Sequence, residues 1–149
     1  MTASSSPSHS PVRRCAMNWL GSDAVIAGIV AMLRANKGHE DLIAAVRPMM
    51  IDRPHLHVLI AGDGGEFDKL KAMINGLRLS HRIRLLGFRT DVNHVLRGCD
   101  LFVLPTHQGA LGQASIEAMA MGLPVIGTLV DGVPELIDSG VNSFLVLLC

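Results

Sequence analysis

Residues 107–135 contain the stretch whose residue types and spacing best fit ligand chemistry. A glycine-containing loop at 109–112 (Gly-Ala-Leu-Gly) follows an apolar run and leads into a predicted helix that begins near Gln113. The first amides of a helix are unpaired and carry the positive end of its dipole. The loop and the start of the helix are therefore suited to binding a phosphate.

A carboxylate on the same predicted helix adds a second kind of contact. Glu117 lies four residues after Gln113, so both side chains face one side, and Ile116, Met119 and Ala120 should form the opposite, apolar face. A carboxylate one turn behind an anion site can accept hydrogen bonds from vicinal hydroxyls, as on a ribose. The pattern predicts a site for a nucleotide with a sugar attached. The alternative is an exposed carboxylate that stabilises the positive helix end.

Two cations follow the first apolar stretch of the chain. Arg34 and Lys37 precede Gly38, whose missing side chain would allow a ligand to approach closely. At the carboxyl end of a strand, such cations would face a diphosphate. The alternative is that both are solvated loop cations.

Two further loops follow predicted strands. The run at 62–65 (Gly-Asp-Gly-Gly) lacks the full spacing of a dinucleotide fingerprint, and a tight turn with Asp63 or Glu66 complementing the next helix explains it better. The run at 87–92 contains Phe88, which would pack in the core if the loop had no ligand. Thr90 or Asp91 would then cap the next helix.

The elements that must position these residues are clear from apolar periodicity. Nearly continuous apolar strands alternate with helical stretches, which indicates a doubly wound α/β domain with a parallel sheet covered on both faces. The predicted strands are Val25–Leu33, Leu56–Ala61, Ile83–Leu86, Leu101–Leu104, Pro124–Gly127 and Ser143–Leu147. Apolar helix faces are predicted at Leu42, Ile43 and Val46, and at Phe67, Leu70, Ile74 and Leu77. Ligands of such sheets bind at the carboxyl ends of the strands.

The segment at 107–135 resembles the donor-site signature of group-1 glycosyltransferases, the retaining enzymes of the GT-B fold. In that signature two glutamates, eight positions apart, bracket a Gly-x-Gly-like loop. Glu117 stands at the second glutamate, whereas Gly109 occupies the place of the first, which in the family is implied to hold hydroxyls of the transferred sugar. The resemblance extends from about Val25 to Phe144 and implies the second, donor-binding half of a GT-B fold.

The resemblance also implies roles for individual residues. Lys37 would hold the donor's phosphates and stabilise the departing nucleotide. Arg34 matches a subgroup with its arginine three residues before the lysine, although many members carry it five before, where this chain has Met32. The base would rest on the backbone near Phe88 and Arg89. The family has a similar Gly-Asp-Gly turn near its donor cleft, so lining that cleft is an alternative role for the run at 62–65. The candidate catalytic residues are thus Lys37 and Arg34, and the candidate donor-binding residues are Gly38, Phe88, Arg89, Gly109, Ala110, Leu111, Gly112, Gln113 and Glu117.

Composition and residue spacing limit the binding partners, compartments and metal sites that the chain could have. The 149 residues carry a formal net charge of zero, so no electrostatic argument favours nucleic acid or an anionic membrane. The longest apolar run is half the length of a ~20-residue membrane span. Three widely spaced cysteines, Cys15, Cys99 and Cys149, fit a reducing cytoplasm better than a secreted scaffold. His107 has no second ligand at metal-binding spacing, so neither a metal nor a cofactor is expected, and transfer would be metal-independent.

The predicted organisation is a disordered leader at 1–20 and a nucleotide-sugar binding domain at 21–149 that is incomplete at its C-terminus. A transit-like segment is the alternative for the leader. The family's N-terminal acceptor domain would be missing, and the apolar end at 144–148 would promote self-association. The predicted function is donor binding for retaining glycosyl transfer. The alternatives are a non-catalytic nucleotide-binding module, or a nucleotide-sugar epimerase or hydrolase on the same fold.

Overall fold

The protein's structure, a computed structural model, describes residues 23–108, residues 113–128 and the backbone of residues 143–146. The strands are β1 Val25–Val30, β2 Leu56–Ala61, β3 Ile83–Gly87, β4 Leu101–Leu104, β5 Val125–Thr128 and β6 Ser143–Val146. The helices are α1 His39–Asp52, α2 Phe67–Gly76, α3 Val92–Gly98 and α4 Gln113–Ala120, and a 3-10 turn spans Ala35–Lys37. The predicted leader and the loop at 109–112 lie outside the described residues.

The six strands form one parallel sheet in the order β3-β2-β1-β4-β5-β6. β1 pairs with β2 along its whole length, from Val25 opposite Leu56, and on its other side with β4, where Ala27 lies opposite Leu101. The chain therefore adds β2 and β3 on one side of β1 and then crosses back to add β4, β5 and β6 on the other side. This order confirms the predicted doubly wound fold, and it places the ligand crevice of such sheets at the carboxyl ends of β1 and β4.

Alternate residues of the strands supply a core on each face of the sheet. On one face, α1 and α2 pack against residues that include Ile29, Val58 and Ile83. On the other, α3 and α4 pack against Phe102, Leu104 and Val125. The apolar faces predicted for α1 and α2 are confirmed: Leu42, Ile43, Val46, Leu70 and Ile74 are buried, and Phe67 and Leu77 pack against them.

Two local predictions are wrong. The first apolar run continues to Leu33, but β1 ends at Val30; Leu33 is buried in the following loop, where its N–H donates to the Asp63 carbonyl over 3.0 Å. On α4 the buried residues are Ser115 and Ala118, whereas 52% of Ile116 is exposed. Ala120, also assigned to the apolar face, is exposed. Met119, the third residue of the predicted face, does pack against the core in a partly buried position. The fully buried positions of α4 are thus held by small side chains, so hydropathy alone does not identify its buried face.

Candidate functional site

The predicted cations lie on a tight turn directly after β1. Arg34 is the residue that precedes the 3-10 turn, and its carbonyl accepts the Lys37 N–H at 3.0 Å. Gly38 then takes a left-handed conformation, with φ of +76°, which ends the turn and begins α1. The exposed Arg34 and the partly exposed Lys37 therefore stand at the two ends of one short turn.

This turn is joined to the loop that follows β4. The Asn36 carbonyl accepts the N–H of His107 at 2.8 Å, and the His107 imidazole pairs through Nε2 with the Asp41 carboxylate in the first turn of α1. Gly38 packs directly against Pro105. The two loops that flank the switch between β1 and β4 therefore form one connected surface. No local pattern in the sequence indicates contacts between such distant residues.

The glycines after β2 serve a turn that packs against the chain leaving β1. A β-carbon on Gly62 would stand 1.9 Å from the Ala31 carbonyl oxygen, and one on Gly64 would stand 2.5 Å from that of Leu33. The Asp63 carboxylate accepts the Gly64 N–H at 2.8 Å, and Glu66, which precedes α2, makes no side-chain capping bond. Close approach explains these glycines, as the tight-turn interpretation expects.

A cavity of about 580 Å³ opens beside this turn at the carboxyl ends of β1, β2 and β3. Its walls include Val30, Ala31, Met32, Gly62, Phe88 and Arg89. Phe88 is 75% exposed, so the alternative in which it packs in the core is wrong. Phe88 and Arg89, which are predicted to contact a base, therefore line an open cavity at the carboxyl ends of the strands.

The Arg89 guanidinium at the rim of the cavity is held in place by Asp91. It donates to both carboxylate oxygens, through Nε at 2.7 Å and Nη2 at 2.6 Å. These hydrogen bonds raise the pKa of Arg89 and lower that of Asp91. Asp91 immediately precedes α3, but its side chain makes no capping bond. Its carboxylate orients the arginine instead.

A neutral histidine is buried beside the cationic turn. His39, the first residue of α1, is 2% exposed. Its pKa is lowered to about 4, chiefly by burial and also by the positive charge of Lys37, while Glu66 acts in the opposite direction. The imidazole is therefore uncharged at neutral pH, so Lys37 and Arg34 supply the positive charge of this turn.

The helix predicted to carry the ribose contact forms as expected. α4 begins at Gln113, which is exposed, and Glu117 is half-buried one turn later. Gly109, Ala110, Leu111 and Gly112 lie outside the described residues, so their role in binding the donor stays a prediction. In the parts of the chain that the structure covers, no group of His, Cys, Asp and Glu residues has a metal-binding arrangement. No helix among those same residues is long and apolar enough to cross a membrane.

The sequence model described as glycosyl transferases group 1 matches residues 24–148, which include every element described above. The chain belongs to the group-1 glycosyltransferases. It is 31% identical over 116 residues to N-acetyl-alpha-D-glucosaminyl L-malate synthase of Bacillus anthracis, covering 78% of this chain and 30% of that protein. It is 30% identical over 125 residues to the lipopolysaccharide core biosynthesis glycosyltransferase LpsE of Rhizobium meliloti, covering 84% of this chain and 36% of that protein.

A solved structure shows the same fold. HepE of Anabaena, crystallised with UDP and glucose, is 31% identical, with a TM-score of 0.82 over 93% of this chain and 39% of that protein. The similarity confirms that this glycosyltransferase chain has the Rossmann-like architecture of a GT-B domain. The chain spans about a third of the length of the relatives it matches.

Proposed function

We propose that this glycosyltransferase chain binds a nucleoside-diphosphate sugar as the donor half of a retaining GT-B enzyme, with a UDP-sugar as the first candidate. The observation that carries the proposal is the cationic turn of Arg34 and Lys37, held against the β4 loop at the switch point. The cavity lined by Phe88 and Arg89 lies at the same end of the sheet. Crystals of the relative HepE with UDP and with UDP-glucose support a uridine nucleotide.

Each part of such a donor has a partner in this arrangement. The base would enter the cavity against Phe88 and the backbone of Arg89, and Glu117 would accept hydrogen bonds from the ribose hydroxyls. The diphosphate would lie between Lys37 and the loop at 109–112. Negative charge develops on the leaving diphosphate as the glycosidic bond breaks, and fixed cations and amides stabilise it without reorganising. No step requires a metal ion.

Transfer to an acceptor would take place with an additional acceptor-binding domain, as the family's architecture implies. One observation favours a second candidate, a non-catalytic nucleotide-binding module. Gly109 stands where the family's first glutamate holds the sugar. Loss of that contact would leave nucleotide binding intact and weaken recognition of the sugar.

Calorimetric titration of the chain with UDP, GDP, ADP, UDP-glucose and uridine tests the proposal. We expect weak binding of at least one nucleoside diphosphate and no measurable sugar transfer, because proximity to the acceptor is absent. Lys37→Ala should lower diphosphate affinity about 10- to 150-fold and leave uridine unaffected, since a charge-assisted phosphate contact contributes about 1.5–3 kcal/mol.

Lys71→Ala is the matched control, because Lys71 is an exposed lysine on α2 outside this site. Its diphosphate affinity should equal that of the wild type. Absence of binding for every nucleotide would refute the proposed function. Equal losses in the Lys37 and Lys71 variants would show that the cationic turn is not the phosphate site.

A further inference from the structure

Two buried threonines lie at the carboxyl ends of β4 and β5. Thr106 is 1% exposed and Thr128 is 3% exposed. The Thr106 hydroxyl lies 2.9 Å from the carbonyl oxygen of Gln108 and 3.3 Å from that of Asn36. The Thr128 hydroxyl in turn donates to the Thr106 carbonyl at 2.5 Å. A buried hydroxyl is costly unless it is hydrogen-bonded, and both of these have partners.

The two carbonyls beside the Thr106 hydroxyl occupy special positions in the chain. Asn36 immediately precedes Lys37, and Gln108 is the last described residue before the predicted phosphate loop at 109–112. The Asn36 carbonyl also accepts the His107 N–H. Thr106, His107 and Gln108 are therefore held by hydrogen bonds to Asn36 or to the Thr106 hydroxyl. Because a peptide unit is planar, fixing a carbonyl fixes the direction of the peptide that leads into the next residue.

The bonds also run from strand to strand. Thr128 belongs to β5, Thr106 follows β4, and Asn36 follows β1. β4 lies between the other two strands in the sheet. The hydrogen bonds therefore connect the carboxyl ends of three neighbouring strands, at the edge of the sheet where the diphosphate is predicted to bind. A valine has nearly the shape of threonine, so packing alone does not require a hydroxyl at either position.

We propose that Thr106 is a positioning residue for the diphosphate: its hydroxyl holds the Lys37 turn in place against the β4 loop at Gln108, and Thr128 holds the Thr106 backbone. The inference rests on the proposed donor function. Neither threonine touches the nucleotide. Both act through the Asn36 peptide, which leads into Lys37.

Titrations of the whole chain with UDP and with uridine test this role, because their difference isolates the diphosphate contribution. Thr106→Val should lower UDP affinity about tenfold, since small displacements of positioned groups carry large losses. Uridine affinity should stay unchanged, because the cavity near Phe88 keeps its walls. Thr106→Ser, which retains the hydroxyl, should bind UDP within about twofold of the wild type. Thr128→Val should shift UDP affinity in the same direction by a smaller factor.

Ser115→Ala is the control for removal of a buried hydroxyl. Ser115 lies on α4, is 1% exposed, and has no hydrogen-bond partner for its hydroxyl within the described residues. Its UDP affinity should match the wild type. Equal loss of UDP and uridine binding in Thr106→Val would indicate general damage and overturn the positioning role, as would an unchanged UDP affinity.

Amide hydrogen exchange separates this inference from the proposed function. The His107 N–H, which donates to Asn36, should exchange faster in Thr106→Val and at the wild-type rate in Thr106→Ser. If the wild type bound no nucleotide, the proposed donor function would be refuted. The exchange rate of the His107 N–H would still test whether Thr106 links the two loops. Unchanged exchange in Thr106→Val would overturn it.

Discussion

Gly38 lies so close to Pro105 that a β-carbon on the glycine would stand 1.8 Å from the proline's carbonyl oxygen. The contact joins the first residue after the cationic turn to the loop after β4. It fixes Lys37 relative to the switch point, and it exists because glycine alone combines this φ with this proximity.

Gly38→Ala should therefore destabilise the protein strongly. The left-handed backbone costs an L-residue about 1–2 kcal/mol, and overpacking against Pro105 adds about 1–3 kcal/mol. Gly122→Ala provides a matched control, because Gly122 has the same φ of +76° but no atom of the described residues within 4 Å of a β-carbon. Urea unfolding of both variants measures the difference. Equal losses would show that the Pro105 contact contributes nothing.

The buried His39 predicts a specific dependence of stability on pH. Its folded-state pKa of about 4 lies below the ordinary value of 6.5, so the unfolded chain binds more protons between these values. The contribution of His39 is fully present above pH 6.5 and falls as pH drops toward about 4, by an amount on the order of 3 kcal/mol. His39→Leu should flatten this part of the profile in urea unfolding at a series of pH values. A variant profile parallel to the wild type would contradict the assignment.

Arg78, two residues after the end of α2, adopts the left-handed conformation, with φ of 58°. Its N–H donates to Asn75, and the Leu79 N–H donates to Ile74, which is the hydrogen-bond pattern of a glycine-terminated helix. Arg78→Gly should raise the free energy of unfolding by about 0.5–1 kcal/mol, since the strain on a residue with a β-carbon is removed. Arg78→Ala loses the charge but keeps the strain, and it should show no gain. Thermal unfolding of the pair distinguishes the two causes.

Gly109→Glu tests the sugar contact that the sequence lacks. The new carboxylate should strengthen binding of UDP-glucose relative to UDP, because a charge-assisted hydrogen bond to a sugar hydroxyl contributes about 1.5–3 kcal/mol. Affinity for UDP itself should change little. Titration of wild type and variant with both ligands gives the comparison. Equal weakening of both would indicate a strained loop and refute a vacated sugar contact at position 109.

Local pattern predicts the sheet well because buried parallel strands are continuous apolar runs. It fails where burial has another cause. Leu33 is as apolar as any strand residue, yet it is buried in a loop that hydrogen-bonds to Asp63. Ile116 is apolar, yet α4 approaches the sheet through Ala118 and Ser115. Hydropathy does not report how closely two elements can approach, and side-chain size decides that distance.

The residue types of the candidate site could be predicted from the sequence, but the hydrogen bonds that join its loops could not. Arg34, Lys37 and Glu117 are recognisable from charge and position relative to the strands. The links of Asn36 to His107, and of Thr106 to Asn36, join residues far apart in the sequence. No local period reports such pairs, because they follow from the pairing of β1 with β4.

The strand order also bears on how the molecule assembles. β1, β2 and β3 are joined by short crossovers, whereas the pairing of Ala27 with Leu101 closes a long loop and carries a larger entropic cost. The crevice at the switch point comes into being when β4 docks onto β1. A diphosphate that contacts both loops would bind the joined form and not the separated halves. Binding would therefore stabilise the docked form by mass action. It would slow the separation of β1 from β4, and the midpoint of thermal unfolding would rise with nucleotide concentration.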